Sequence, residues 1–413
     1  MMELKAKNIL CLLAVLGAVQ YASAQTSRPD RIVLNVTENP ATSAAVTWRT
    51  STDVKESHAE IVAAHADPRT VSKAVQSKAI TSPWLSDTLN VHYHSIIFRD
   101  LTPNTLYAYR VGQGTDWSEW FQFRTAGKAG DPFTFIYLGD AQTNLLSLWS
   151  RTIRKAYEMA PDARLILHAG DLVNRGNRNP EWQEWFEAGG YVHATVPGLM
   201  SPGNHEYYYT EADSGMVSAF WRPQFTLPEN GPAGLEETCY YTDVQGVRFI
   251  SLNSQEIEIN KANMVKQKVW LEEVLKNNPN QWTCIVFHHP VLSTKNSRDN
   301  KEVRLNFQPL FDKYKVDLVM TGHDHTYARG KVGNTVYVVS VSGPKMYPLD
   351  PQPWMQKTAS YTQLFQLVHV KGNKLRYESY TTTGNLYDAF ELEKKKGSAN
   401  VFTNRAPAGG AGN

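Results

Sequence analysis

WTCIVFHHP (residues 282–290) and VDLVMTGHDHTYAR (residues 316–329) are two apolar runs that both stop at histidines. Short apolar runs rich in β-branched residues predict buried strands. Ligands of open α/β sheets bind beyond the carboxyl ends of the strands. The sequence therefore presents His288, His323 and His325 as candidate metal ligands at one edge of a sheet.

Three further apolar runs end in oxygen or nitrogen ligands. FTFIYLGD (133–140) ends in Asp140, ARLILHAGD (163–171) ends in Asp171, and VPGLMSPGNHE (196–206) delivers Asn204 and His205 after a Gly turn. Five strand ends that supply Asp, Asp, Asn, His and His-x-His side chains are a sufficient ligand set for two metal ions. Mixed nitrogen and oxygen donors suit Zn, Fe, Mn or Co rather than calcium.

Taken in order, these motifs resemble those of the calcineurin-like metallophosphoesterases, and more closely the purple acid phosphatase branch. The matching motifs are GD at Asp140, GDLVNRG at Asp171, GNHE at Asn204, HHP at His288 and GHDH at His323. An ordered set is far more specific than any one short motif. The resemblance implies an α/β metallophosphoesterase sandwich over residues 132–395, with two mixed sheets flanked by helices.

The resemblance also implies how the ligands divide between the two ions. Only an anion with two oxygens can bridge two cations and offset their repulsion, and Asp171 is expected in that place. One ion would take Asp140, Asp171 and His325, and the other would take Asp171, Asn204, His288 and His323. A Gly-His-x-His turn can direct alternate imidazoles at neighbouring ions.

A family site of this kind hydrolyses phosphate monoesters by attack of a metal-bound hydroxide on phosphorus. The departing alkoxide needs a proton, and His205 is the expected donor; the alternative is that it only orients Asp140 or Asp171. His289 is expected either to support the ligands or to face the substrate. The partner implied is a small-molecule phosphate ester.

The sequence departs from the family at the first metal. Purple acid phosphatases have a tyrosine three residues after the bridging aspartate, where this chain has Asn174, and other family members have a histidine where this chain has Gln142. The amide oxygens of these two residues are expected either to bind the metal weakly or to contact the metal ligands without binding the metal. Without a phenolate, stable ferric iron is not expected. We predict a colourless protein that uses two divalent ions.

Substrate contacts are less evident from the sequence. A basic loop follows the metal histidine, and Lys295, Arg298 or Arg304 either reaches a phosphate or remains solvated. A phosphodiesterase using the same site is one alternative function. A surface-binding protein that has lost catalysis is another, although decay would be expected to remove some of the ligands.

Residues 28–125 predict a separate all-β domain. Short alternating strands with turns follow one another without a helix-length segment, which favours a β-sandwich. LTPNTLYAYRVG (101–112) is similar to the tyrosine corner of fibronectin type III sandwiches, in which Tyr107 would hydrogen-bond back across the turn. Purple acid phosphatases carry such a domain before the catalytic one. Residues 126–131 are the expected linker.

The two ends of the chain predict export and disorder. Lys5 and Lys7 precede an apolar stretch that ends near Ala24 with a small-residue cleavage pattern, so residues 1–24 are predicted to be a signal peptide. We therefore expect a secreted or periplasmic protein without a membrane anchor. Residues 396–413 are rich in Gly, Ala, Asn and Pro and are predicted to be disordered. The net charge of +2 gives no indication of a nucleic-acid partner.

Two structural expectations remain to be compared with the fold. Cys239 and Cys284 are expected either as two buried thiols or as a disulfide. The runs at residues 335–343, 361–381 and 386–394 are expected as strands of the second sheet. Helices are expected at residues 145–159, 181–192, 265–276 and 302–314, where apolar residues recur at helical spacing.

Overall fold

The computed structural model describes residues 26–86, 89–207, 215–396 and 398–407. The predicted signal peptide and its cleavage site lie outside these residues. The strands, numbered in chain order, are β1 Asp30–Asn35, β2 Ala44–Ser51, β3 His58–Ala63, β4 Val75–Lys78, β5 Ile80–Leu85, β6 Asn90–Phe98, β7 Leu106–Gln113, β8 Asp116–Trp117, β9 Phe121–Arg124, β10 Phe133–Leu138, β11 Ile166–Ala169, β12 Gly198–Ser201, β13 Tyr240–Val244, β14 Val247–Ser251, β15 Trp282–Val286, β16 Leu318–Thr321, β17 Tyr327–Val332, β18 Thr335–Val339, β19 Lys357–Ala359, β20 Leu364–Lys371, β21 Lys374–Thr381, β22 Leu386–Glu393 and β23 Val401–Asn404.

The α-helices lie between the strands that follow residue 132. They are α1 Ser150–Met159, α2 Asn179–Gly189, α3 Tyr191–Thr195, α4 Trp221–Gln224, α5 Ser254–Ile259, α6 Lys261–Lys276 and α7 Lys301–Lys313. The four predicted helices are confirmed, with two adjustments. Residues 145–149 form a π-helical turn before α1. The second predicted helix is divided at Gly190, whose φ of 43° ends α2 and begins α3.

The N-terminal strands form two sheets that share a core. Strands β1, β2, β6 and β5 are neighbours in one sheet, while β4, β3, β7 and β8 form the other, with β9 on β7. Trp48 of β2 and Tyr109 of β7 are buried in the same apolar cluster, so the two sheets pack face to face. The hydroxyl of Tyr107 accepts a hydrogen bond from the main-chain N–H of Thr102 at 2.9 Å. The predicted hydrogen bond across the turn is therefore confirmed.

Two mixed sheets contain the strands from β10 onwards. The first has the order β23-β22-β21-β20-β10-β11-β12 and continues through β1, β2, β6 and β5 of the N-terminal domain, so that eleven strands form one sheet. The second has the order β13-β14-β15-β16-β18-β17-β19. Phe135 of β10 packs edge-on against Phe249 of β14 with ring centroids 4.9 Å apart. The two sheets thus face each other, and the α/β sandwich expected from the resemblance is confirmed.

The sheet assignment of the C-terminal strands was wrong in part. Strand β18 joins the second sheet, as expected, by pairing with β16. Strands β20, β21 and β22 instead belong to the first sheet, where β20 pairs antiparallel with β10. The physical reason is that β10 has a free edge, which the three-stranded meander covers.

The prediction that residues 396–413 are disordered was also wrong in part. Residues Val401–Asn404 form β23, which pairs antiparallel with β22. Val401, Phe402 and Thr403 are strand-forming residues within a segment whose overall composition is Gly- and Ala-rich. Residues 408–413 lie outside the described part of the chain. Cys239 and Cys284 are buried free thiols, which confirms the first of the two expectations.

The parallel strands place the ligand-bearing loops at one edge. Strands β10, β11 and β12 run parallel in the first sheet, and β14, β15, β16 and β18 run parallel in the second. Each predicted ligand follows the carboxyl end of one of these strands. The turns are tight: Asp171, His323 and His325 have φ values of 50°, 72° and 55°. A Cβ on Gly203 would lie 2.2 Å from Oδ1 of Asp171, so only glycine fits beside that aspartate.

Candidate metal centre

Asp140, Asp171 and His325 form the first group of candidate ligands. Their ligand atoms all lie within 4.8 Å of one another, and all three side chains are buried. Nε2 of His325 is 3.8 Å from Oδ1 of Asp140. Nδ1 of His325 faces the main-chain oxygen of Lys345 at 2.6 Å and donates its proton there. The lone pair of Nε2 therefore points towards the carboxylates, as in metal-binding histidines.

Asn204, His288 and His323 form the second group. Nε2 of His288 lies 3.0 Å from Oδ1 of Asn204 and 3.1 Å from Nδ1 of His323. It also lies 3.3 Å from Oδ2 of Asp171, so this aspartate borders both groups. Nδ1 of His288 donates to the main-chain oxygen of Ala169 at 2.9 Å, which leaves a lone pair on Nε2.

The chemistry of these donors fits metal ions. In the neutral form of His288, the lone pair of Nε2 faces Oδ1 of Asn204 and Oδ2 of Asp171, and acceptors placed in this way repel one another unless a proton or a cation lies among them. Gln142 provides a second sign, because its Oε1 is buried and has no hydrogen-bond partner among the described atoms. The residues present can therefore hold two cations, one in each group.

Electrostatics within the site also favour positive charge. Burial lowers the pKa of His288, but the Asp171 and Asp140 carboxylates outweigh it and raise that pKa to about 9. Burial opposes ionisation of Asp171, yet His288 and His205 hold its pKa below the ordinary value. Burial raises the pKa of Asp140. A buried carboxylate pair of this kind is stabilised by a cation between its members.

His205 lies beside Asp171 at the entrance to the site. Its main-chain N–H donates to Oδ1 of Asp171 at 3.0 Å, and its Nε2 is 3.9 Å from Oδ2. Nδ1 of His205 faces the main-chain oxygen of Asn174 at 2.5 Å. The side chain is 25% exposed, whereas that of Asp171 is buried. The imidazole is therefore accessible to a bound substrate and fixed in orientation.

His289 lies beside His288 and His323, and the three imidazoles each bring a ring nitrogen within 4.8 Å of the others. Nδ1 of His289 is 2.9 Å from the hydroxyl of Ser254, and its ring centroid is 4.3 Å from that of His323. Burial lowers the pKa of His289 well below the ordinary value for histidine. A neutral His289 held by Ser254 packs against a ligand, which is one of the two places expected from the sequence.

The two residues that depart from the family pattern occupy different positions. Gln142 is buried, and its Nε2 lies 3.4 Å from Oδ2 of Asp171. Asn174 is partly buried, and its main-chain oxygen is the acceptor of His205. The side chain of Gln142 therefore lies next to the first group, whereas Asn174 contacts His205 through its backbone.

Glu206 is a functional residue that the sequence reasoning missed. It is the last residue of the GNHE motif and its side chain is buried. Its Oε2 accepts from the main-chain N–H groups of Asp171 and Gly203 at 2.9 and 2.7 Å. Its Oε1 accepts from Leu172 at 2.8 Å. The carboxylate therefore joins two ligand-bearing loops. The only sequence signal was the motif itself.

The three candidate substrate cations are in different surroundings. Nη1 of Arg298 donates to the main-chain oxygen of His323 at 2.6 Å. Lys295 donates to the main-chain oxygen of Pro348. Arg304 forms an exposed ion pair at 2.7 Å with Asp299, which lies two residues before the start of α7. Arg298 is thus the candidate that the structure brings to the ligands.

Tyr347 is a second residue that sequence reasoning missed. Its ring centroid is 4.8 Å from that of His325, and its main-chain N–H donates to the oxygen of His325 at 3.1 Å. Lys345, the acceptor of His325, belongs to the same loop. The loop follows β18 and carried no motif. Its Gly-Pro turn after a strand was the only signal available.

Comparison with known proteins identifies the class. The calcineurin-like phosphoesterase family model matches residues 112–327. The model of the purple acid phosphatase N-terminal domain matches residues 29–125. The chain belongs to the calcineurin-like phosphoesterase family, in its purple acid phosphatase branch.

Individual relatives agree with this membership. The Fe(3+)-Zn(2+) purple acid phosphatase 12 of Arabidopsis thaliana is 28% identical over 60% of this chain and 54% of its own length. The acid phosphatase type 7 of Homo sapiens is 25% identical over 78% of this chain and 75% of its own. The chain spans about half the length of several relatives that it matches.

The solved structures agree on the fold. The purple acid phosphatase PPD1 of yellow lupin seeds superposes with a TM-score of 0.73 at 20% identity, covering 89% of this chain and 75% of that one. At that identity the likeness supports the fold alone. Among the described residues, no helix is both long enough and apolar enough to cross a membrane.

Proposed function

We propose that the protein is an exported phosphatase that hydrolyses phosphate monoesters with two divalent metal ions. The observation that carries the proposal is the convergence of two donor groups around Asp171. Asp140, Asp171 and His325 would hold one ion, and Asp171, Asn204, His288 and His323 the other. Export is proposed on the predicted signal at residues 1–24.

The bound metals would supply an activated water and neutralise charge on the phosphoryl oxygens. The chain's own residues fix the geometry for that chemistry. The carbonyls of Ala169 and Lys345 set the tautomers of His288 and His325, so that Nε2 faces inward in both. The contact between Glu206 and the backbone of Asp171 holds the bridging carboxylate in place.

His205 is proposed as the proton donor to the leaving group. Its Nδ1 is held by the oxygen of Asn174, which leaves Nε2 as the atom that can carry a proton to the substrate. Its partial exposure, beside a buried Asp171, is consistent with contact with an ester oxygen. A donor of this kind favours monoesters with poor leaving groups.

The metals are proposed to be divalent. The Arabidopsis relative is named for an Fe(3+)-Zn(2+) pair. This chain has Asn174 in the place of the family tyrosine, so the position that supplies the family's phenolate carries a neutral amide, which is a poor ligand for ferric iron. The amide of Gln142, next to Asp171, is a neutral donor and suits a divalent ion.

The test compares p-nitrophenyl phosphate with bis(p-nitrophenyl) phosphate after loading with Zn, Mn or Fe. The monoester should be the better substrate. Asp171→Asn should lower kcat/KM by roughly a hundredfold or more and should reduce bound metal in elemental analysis. Asp162→Asn, at an exposed aspartate, is the matched control. Faster diester hydrolysis would favour the phosphodiesterase, and no turnover with any metal would favour the binding protein.

A further inference from the structure

Arg298 lies at the rim of the metal centre in a fixed orientation. Its Nη1 donates both to the main-chain oxygen of His323 at 2.6 Å and to Oδ1 of Asp324 at 3.1 Å. Its side chain is 31% exposed. The guanidinium therefore lies close to the ligands and faces solvent.

Asp324, between the two metal-binding histidines, holds Arg298 in place. Its carboxylate is buried, and Oδ2 accepts from the hydroxyl of Ser293 at 2.8 Å and from the main-chain N–H of Thr294 at 2.7 Å. The hydroxyl of Thr294 also donates to Oδ2. Since these bonds engage Oδ2, Oδ1 remains for Arg298. A buried acceptor of fixed position orients the guanidinium before any ligand binds.

Tyr347 brings a second cation to the same place. Cζ of Arg298 and Nζ of Lys295 lie 5.9 and 5.8 Å from the centroid of its ring. The ring itself packs against His325. Two cations therefore share one aromatic side chain beside a metal-binding histidine. The acidic groups nearby are already engaged, since Asp324 is bonded as above and Oδ2 of Asp350 accepts from the main-chain N–H of Asn296 at 2.9 Å.

The free donors of Arg298 determine what it can bind. A guanidinium has five N–H groups in a planar fork. Within the described part of the chain, Nη1 alone has a protein acceptor, which leaves Nε and Nη2 for a ligand. Such a fork matches the two oxygens of a carboxylate or a phosphate.

Arg298 lies outside the atoms that would surround the reacting phosphoryl group. It contacts the main-chain oxygen of His323, whereas Nδ1 of that residue faces Asn204 at 3.1 Å and His288. A substrate whose phosphoryl group lies among those ligand atoms would present its leaving group to the rim. An anion on the leaving group could then meet Arg298.

We propose that Arg298, oriented by Asp324 and accompanied by Lys295, binds a second anionic group of the substrate. The preferred substrates are phosphate monoesters whose alcohol or phenol portion carries a carboxylate or another phosphate. The proposal rests on the proposed phosphatase function and names its substrate class. It makes Arg298 a specificity-determining residue rather than part of the machinery that cleaves the ester.

The experiment compares phenyl phosphate with 4-carboxyphenyl phosphate, which differ mainly by the second anion. Wild-type protein should prefer the carboxylated ester. Arg298→Gln should lower kcat/KM for that ester by roughly tenfold to a hundredfold, the value of a charge-assisted hydrogen bond. The same change should leave kcat/KM for phenyl phosphate within about twofold of the wild-type value. Arg298→Lys keeps the charge but loses the planar fork, so its kcat/KM for the carboxylated ester should lie between those of the wild type and Arg298→Gln. Arg304→Gln is the matched control, since its guanidinium pairs with Asp299.

The outcomes separate the subsite from the phosphatase function. An equal loss for both esters in Arg298→Gln would overturn the proposal, because Arg298 would then act on the reacting phosphate or on the loop. An unchanged ratio of the two esters would overturn it as well. Wild-type protein that hydrolyses neither ester with any metal would instead overturn the phosphatase function itself, and the subsite with it. Elemental analysis of each variant distinguishes lost metal from lost specificity.

Discussion

Replacement of Glu206 by Gln should destabilise the fold and weaken metal binding. The Glu206 carboxylate accepts from four main-chain N–H groups: those of Leu172 and Val173 on Oε1, at 2.8 and 3.3 Å, and those of Asp171 and Gly203 on Oε2, at 2.9 and 2.7 Å. No solvent reaches the side chain. The change therefore acts on buried donors alone.

The magnitude follows from the donors that lose an acceptor. Gln keeps one oxygen and can satisfy one pair of N–H groups, but its amide NH2 then faces the other pair. A buried donor left without an acceptor costs about 1–3 kcal/mol, so two cost about 2–6 kcal/mol in the free energy of unfolding. That is a large part of the stability of an ordinary domain, which is about 5–15 kcal/mol.

Chemical denaturation followed by tryptophan fluorescence measures this loss, because Trp182 and Trp185 are buried in the apolar core that also contains Phe135 of β10. Metal content after dialysis should fall in parallel, since the backbone of Asp171 loses its support. Glu181→Gln is the control. Its Oε2 accepts from one main-chain N–H, that of Arg175, at 2.7 Å near the surface. The control should change the free energy of unfolding by less than about 1 kcal/mol.

The ionisation of Glu206 decides the result. Burial and the neighbouring Asp171 raise the pKa of Glu206 to about 8. Below that pKa the protonated carboxyl group resembles the amide and Gln costs little, so the free energy of unfolding is measured at about pH 9, where the carboxylate predominates. All four contacts are donors to its two oxygens, which favours the carboxylate. A free energy of unfolding within about 0.5 kcal/mol of wild type would refute this reasoning.

Three further predictions concern colour, proton transfer and pH. Wild-type protein should show no intense visible band, whereas Asn174→Tyr loaded with ferric iron should absorb in the visible; a band in wild type would contradict the divalent assignment. His205→Asn should lower kcat by roughly 10²–10⁴ for alkyl phosphates and much less for p-nitrophenyl phosphate, and equal losses would exclude proton donation. Burial lowers the pKa of His193 from 6.5 to about 3. As pH falls, His193 therefore binds a proton in the unfolded chain before it does so in the folded protein. At pH values below about 6.5 the free energy of unfolding should decrease by up to about 1.4 kcal/mol per pH unit. His193→Phe should flatten that slope in unfolding measured against pH.

The grouping of the candidate ligands could be predicted from the sequence because each follows an apolar run. A buried parallel strand has a recognisable composition, and its carboxyl end is the place where a site forms. Asp140, Asp171 and His288 follow that rule directly. The partners of Glu206 could not be predicted, since its acceptor role depends on main-chain N–H groups from two other parts of the chain. Asp324 is similar, because its bonds to residues 293–298 arise only after folding.

The sheet assignment could not be predicted for a related reason. Alternating residues indicate that a segment is a strand but do not indicate which strand it pairs with. Leu367 of β20 lies opposite Ile136 of β10 in the first sheet, although the same alternation would suit either sheet. Composition likewise suggested disorder for the tail. The short segment Val401–Asn404 nevertheless finds a free strand edge at β22.

The N-terminal domain contributes to the metal centre through the first sheet. Strand β1 pairs parallel with β12, and the N–H of Val36 donates to the oxygen of Gly198 at 3.1 Å. Strand β12 leads directly to the GNHE turn. Arg31 and Arg49 of the same sheet donate to the side chain of Asn179, at 2.6 and 3.2 Å, at the start of the helix that follows the Asp171 loop. Both loops are therefore attached to the N-terminal strands, and the two domains act as one scaffold for the ligands.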